Sequence, residues 1–164
     1  MRTRTWICGL LFCLIASSSF AEDRAIAWQG KGADGMAIHF DPQHLQRPAI
    51  LLFWATWCPY CEALMPNLQH VLDAAGKDKL DVFAIDIKDD GDPAAQLREH
   101  KQTFTLVRNG DAIADQYGVK GTPGLFLVDA KGNIVYKATS SDPEQIETAL
   151  REKLHLAPVK VAAK

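Results

Sequence analysis

The stretch WATWCPYCEALMP, residues 54–66, carries two cysteines three apart, Cys58 and Cys61, with Pro59 and Tyr60 between them. Two thiols at that spacing can close a disulfide, exchange electrons with a partner or share a soft metal ion. A structural zinc site needs four ligands. The histidines, His39, His44, His70, His100 and His155, are scattered along the chain and do not complete such a site. A purely structural staple would add little here, because stabilisation by a disulfide grows with the length of the loop it closes. Redox exchange is the favoured chemistry; copper(I), which two thiolates suit, is the alternative.

The flanking elements decide how the pair would work. Ala49–Trp54 (AILLFW) is a continuous apolar run, the pattern of a strand buried on both faces. Over Cys58–Ala75, the residues Leu64, Leu68, Val71, Leu72 and Ala75 recur at helical spacing. Cys58 therefore stands where the strand has ended and the helix begins. There the first N–H groups lack intrahelical partners, and the helix dipole adds about half a positive charge. A thiolate is stabilised at such a place, and its pKa falls below that of a free thiol. Cys61, one turn on, is within disulfide reach and deeper. Cys58 is thus expected to attack and Cys61 to resolve the mixed disulfide. Pro59 suits the first turn, having no N–H to lose. Tyr60 brings aromatic surface without a cation. Trp54 reads as core, and Trp57 as core or as apolar surface beside the sulfurs.

The remaining elements follow from pattern. Ala25–Trp28 and Met36–Phe40 flank a Gly-rich stretch, 30–35, and read as a hairpin. Val82–Ile87 is a second buried strand, and Asp92-Pro93 opens a short helix, Asp as cap and Pro at the first position. Thr105–Val107 reads as a short strand, and Ala112–Tyr117 as a helix stopped at Gly118. Leu125–Asp129 and Ile134–Ala138 flank Lys131-Gly132-Asn133 as an antiparallel hairpin. Asp142-Pro143-Glu144-Gln145 is a capping-box start for a last helix along Ile146, Leu150 and Leu154. Alternating strands and helices followed by a hairpin and a final helix predict an α/β domain over 22–156, a mixed sheet covered on both faces, with 157–164 as a flexible tail.

Residues 1–21 read as a signal peptide: Arg2 and Arg4, an apolar run Trp6–Ile15, then Ser19 and Ala21 as small residues before a cleavage point. The apolar run is short for a membrane span; an uncleaved anchor is the alternative. Of 164 residues, removal of 21 leaves 143, and Cys8 and Cys13 go with them, so Cys58 and Cys61 are the only thiols of the mature chain. Losing two arginines from 18 Lys+Arg leaves 16 against 20 Asp+Glu, a net charge near −4 that disfavours nucleic acid as a partner. A bacterial periplasm, where disulfide chemistry is active, is the expected compartment.

FWATWCPYC together with GVKGTPGLFLVDAKGNIV resembles the thioredoxin superfamily, in particular the exported TlpA/ResA/DsbE-like thiol-disulfide oxidoreductases, over about Trp28 to Leu156. The resemblance implies a thioredoxin-like fold with an N-terminal hairpin and a helix-and-strand insertion over Asp89–Arg108. It implies Cys58 as nucleophile, Cys61 as resolving cysteine, and Pro66 as the proline that kinks the active-site helix. Thr122-Pro123 matches the cis-proline loop whose backbone pairs with substrate, so the implied substrate surface is Trp57, Pro59, Tyr60, Thr122 and Pro123. No metal and no small-molecule cofactor is implied, the Cys58–Cys61 disulfide being the redox group. The implied partners are oxidised exported proteins such as apocytochrome c, in cytochrome c biogenesis, and a DsbD-type membrane electron donor. The chain departs from its relatives where they carry a carboxylate: Leu52, Leu64 and Gly124 stand at those positions, which leaves water as the proton carrier for the resolving thiol. Glu62 is close in sequence but is expected to face solvent. Pro59-Tyr60 puts no histidine beside Cys58, which argues for a reductant rather than a strong oxidant. A thiol peroxidase is disfavoured, since no Pro-x-x-x-Thr-x-x-Cys stretch ends at Cys58.

Overall fold

The computed structural model describes residues 23–88 and 91–158; the expected signal peptide and the end of the expected tail lie outside them. The elements are β1 (Trp28–Lys31), β2 (Ala37–Phe40), β3 (Ala49–Trp54), α1 (Pro59–Ala75), β4 (Asp81–Asp86), α2 (Pro93–Glu99), β5 (Thr105–Val107), α3 (Asp111–Gln116), β6 (Gly124–Val128), β7 (Ile134–Lys137) and α4 (Pro143–Lys153). Five strands form one mixed sheet in the order β5-β4-β3-β6-β7. β4 runs parallel to both β3 and β5, while β6 is antiparallel to β3 and β7. β1 and β2 make a separate antiparallel hairpin.

β3 explains the rest. It is the central strand, and all six of its residues are buried. Ile50, Leu52 and Trp54 point into a core shared with α1, α2 and α4. Ala49, Leu51 and Phe53 point into a second core against the hairpin and α3. A strand covered on both faces has no polar side to show, which is why the run AILLFW does not alternate.

Local chemistry sets the ends. The carboxylate of Asp92 accepts from the N–H groups of Ala94 and Ala95, both at 3.1 Å, and starts α2. Those bonds, the one from Ala95 foremost, hold its carboxyl below the ordinary aspartate value. Asp142 caps α4 in the same way, accepting from Glu144 N–H at 3.0 Å and Gln145 N–H at 3.2 Å. The expected reciprocal bond to the cap's own N–H is replaced: Gln145 Nε2 turns to the Asp142 carboxylate, and Ser140 Oγ accepts from Asp142 N–H. The first hairpin strand lies three residues later than the sequence pattern places it. Trp28 pairs with Phe40 and Lys31 with Ala37, whereas Ala25 bonds to Gly132 of the β6–β7 turn. Ala25 and Trp28 are both buried with Ile26 and Ala27 exposed between them, a spacing of three that belongs to no single strand: Ala25 lies on the β6–β7 turn and Trp28 in the hairpin.

Candidate active site

The chain leaves β3 at Trp54, turns through Ala55-Thr56-Trp57 and enters α1 with Cys58 as the cap residue. Cys58 and Cys61 are joined as a disulfide. Both sulfurs are well covered, Cys58 being 3% and Cys61 0% exposed. The N–H of Cys61 donates to Cys58 Sγ at 3.2 Å, and the Cys58 carbonyl accepts from Cys61 and Glu62. Cys58 thus fills the role that serine or aspartate has at an ordinary N-cap. An N–H aimed at the sulfur stabilises it most when it carries the negative charge of a thiolate. Pro59 occupies the first helical position, and Pro66 sits inside α1, where its ring leaves the Glu62 carbonyl without a helical donor.

The surface around this buried pair is apolar. Among the described residues, four large apolar side chains are exposed, and two of them, Trp57 at 56% and Tyr60 at 62%, flank the cysteines. Trp57 is therefore surface, not core, and Trp54, at 0% exposed, is core. The Trp57 indole is not loose: its Nε1–H donates to the Lys88 carbonyl at 2.8 Å. The bond Thr122–Pro123 is cis. β6 begins directly after it, and the pairing of Gly124 with Phe53 brings this loop to the end of β3 from which the cysteine segment departs. Residues 65 positions apart in the chain, Cys58 and Pro123, are thereby gathered at one end of the sheet.

None of the three positions supplies a carboxylate here. Leu52 and Leu64 are fully buried in the α1 core. At Gly124 a Cβ would stand 2.8 Å from Val119 Cγ1, too close for any side chain unless Val119 moves. Glu62 faces outward, 3.9 Å from His100 Nε2, as its place in the first turn predicts. A carboxylate the sequence reading passed over is Asp86, 4% exposed, at the end of β4 opposite Trp54. Its Oδ2 accepts from Asn109 N–H at 3.4 Å and its carbonyl from Gly110 N–H at 2.7 Å. An acidic residue closing the apolar strand VFAID was the available signal. Among the described residues no group of three or more His, Cys, Asp or Glu could hold a metal ion, and no helix is long and apolar enough to cross a membrane.

A mixed sheet flanked by helices, a cysteine pair opening a helix and a cis-proline loop at the same end of the sheet define a thioredoxin-like protein. Residues 21–137 match the AhpC/TSA family, to which the chain belongs. It is 30% identical over 105 residues to the thiol:disulfide interchange protein DsbE homolog of Paracoccus denitrificans, covering 61% of this chain and 56% of that one. It is 23% identical over 141 residues to the thiol-disulfide oxidoreductase ResA of Halalkalibacterium halodurans, covering 79% and 78%. The match spans 56% of the Paracoccus protein and 49% of ResA from Geobacillus thermodenitrificans, about half their length. In fold it is similar to a thiol:disulfide interchange protein of the thioredoxin family from Chlorobium tepidum, with a TM-score of 0.67 at 18% identity over 81% of this chain and 97% of that one.

Proposed function

We propose that the protein is a thiol-disulfide oxidoreductase of the DsbE/ResA type, working in the periplasm as a reductant of exported proteins. The observation that carries this is the Cys58–Cys61 disulfide at the start of α1, with an N–H aimed at Cys58 Sγ and exposed Trp57 and Tyr60 beside it. In the reduced protein Cys58, as thiolate, attacks one sulfur of a substrate disulfide. A Cys58–substrate bond forms, the substrate S–S bond breaks, and the released substrate sulfur takes up a proton. Cys61 then loses its proton and attacks Cys58 Sγ, freeing the second substrate thiol and regenerating the disulfide. With no carboxylate at Leu52, Leu64 or Gly124, water accepts the Cys61 proton. Trp57, Pro59, Tyr60 and the Thr122-Pro123 loop form the surface on which the substrate segment lies. Apocytochrome c, whose Cys-x-x-Cys-His segment carries two cysteines close enough to close a disulfide for this exchange to open, is the substrate class proposed, and a DsbD-type membrane protein the electron donor. The reading of residues 1–21 as a signal peptide is what supports that compartment.

The test is redox titration of the purified protein together with trapping. A potential well below the ~−120 mV of strong oxidants, loss of disulfide reduction in Cys58→Ser, and mixed disulfides accumulating on Cys58 in Cys61→Ser cells are expected. A potential near that value would reverse the direction of electron flow. Stoichiometric copper(I) uptake by the reduced protein with no reductase turnover would make it a copper carrier instead.

A further inference from the structure

Trp57 is the most exposed tryptophan among the described residues and adjoins Cys58, yet its ring is fixed from outside its own element. Its indole N–H donates to Lys88 O at 2.8 Å, and Lys88 N–H donates in turn to Asp111 Oδ1 at 3.1 Å. Lys88 has φ of 50°, a left-handed conformation that costs a lysine energy and needs support from its surroundings. Asp111 supplies it from the first turn of α3, 23 residues further on. The turn carrying Asp111 is itself pinned. Gly110 N–H and Asn109 N–H bond to the carbonyl and carboxylate of buried Asp86, and a Cβ on Gly110 would reach 3.2 Å from the Asp86 carbonyl. From the other side, Arg108 lies 3.6 Å from the Asp92 carboxylate, and Gly91 packs so closely on Thr56 that a Cβ there would collide with its hydroxyl. The loops after β4 and after β5 thus meet behind the residue that precedes Cys58.

We infer that Asp111 is a positioning residue: through the Lys88 backbone it holds the Trp57 indole as a fixed wall of the substrate surface beside Cys58. The inference rests on the proposed use of Trp57 by substrate. Nothing in it touches the sulfurs, so it predicts an effect on how a polypeptide disulfide docks and none on the intrinsic reactivity of the thiolate.

The experiment compares Asp111→Ala, Asp111→Asn and Trp57→Phe in the full mature chain, with two readouts. The first is solvent exchange of the Trp57 indole N–H by NMR. Asp111→Ala should speed it about tenfold through loss of the support that keeps Lys88 O in place, the scale of one hydrogen bond to a charged group. Asp111→Asn, which keeps an acceptor oxygen, should not. The second is single-turnover reduction of an oxidised Cys-x-x-Cys-His peptide. Asp111→Ala and Trp57→Phe should each slow it by about three- to tenfold, and the double variant should be no slower than Trp57→Phe alone. The pH profile of Cys58 alkylation by iodoacetamide should be the same in all. Wild-type indole exchange in Asp111→Ala overturns the inference, as do additive losses in the double variant or an Asn variant as impaired as the Ala variant. A Trp57→Phe protein that reduces the peptide at the wild-type rate instead removes Trp57 from the substrate surface, while indole exchange still decides whether Asp111 holds the ring.

Discussion

Tyr117 offers a perturbation whose magnitude can be worked through. Its ring packs against Phe53 and Phe126, with centroids at 5.7 and 5.3 Å, and is 7% exposed. Its hydroxyl donates to Ile26 O at 2.8 Å and accepts from Ile26 N–H at 3.0 Å, fastening the segment before β1 to the end of α3. Burial pushes the phenol up to about 12, against an ordinary value of 10.0. Tyr117→Phe keeps the ring and removes both bonds. Ile26 is 43% exposed, so water can satisfy its backbone in the variant. The loss at pH 7 should be about 1 kcal/mol, the net worth of such bonds. The pH dependence then separates this account from simple loss of packing. A group whose folded pKa is raised contributes fully below the unfolded pKa and loses that contribution as pH rises toward the folded one. Between pH 10 and 12 the unfolded chain gives up the Tyr117 proton while the folded chain retains it. Wild type should therefore lose about 1.4 kcal/mol from this group by pH 11, approaching ~2.7 above pH 12. The phenylalanine variant has no such term, so the two stabilities should converge near pH 11. Urea titrations from pH 7 to 11 measure this. A wild-type advantage that stays constant across that range would refute the burial account of Tyr117.

Two further changes bear on how α4 is held. Arg151→Met should cost about 3 kcal/mol, because it removes the cation 2.8 Å from Glu147, whose side chain is 4% exposed, and leaves Asn67 Nδ2 at 2.7 Å and the largely exposed His70 ring at 4.0 Å, both on the other oxygen, to meet the carboxylate; a shift in the urea midpoint equivalent to under ~0.5 kcal/mol would place the pair with exposed ion pairs. Asp142→Ala strips the α4 cap from two N–H groups and should lower stability by about 1 kcal/mol, read as a drop in melting temperature, with Asp142→Asn close to wild type.

Much of the site was legible because its signals are local. Two cysteines three apart, a strand-like run before them and a helical repeat after them define a cap position, and the structure makes Cys58 that cap. Trp57 was open between core and surface, because a tryptophan next to a strand end looks the same either way. Its place on the surface is held by Lys88, 31 residues on, whose carbonyl takes its N–H. The first hairpin strand was misplaced for the same kind of reason: Ala25 is buried by the β6–β7 turn, a contact 107 residues away that no local pattern encodes.

By itself, the sequence determined the chemistry and the local elements. The thiols, the apolar strand and the helix start follow from residue type and short-range spacing, which act through sterics, hydrogen-bond supply and periodic burial; the Thr122-Pro123 loop came only with the family resemblance. Only the tertiary structure decided which distant segments meet. The register of β6 on β3 gathers the proline loop at the cysteine end of the sheet, Val119 packs closely over Gly124, and Asp86 and Asp111 stand behind the loop that holds Trp57. These are contacts between residues tens of positions apart. They are fixed by packing around β3 and leave no periodic trace in the chain.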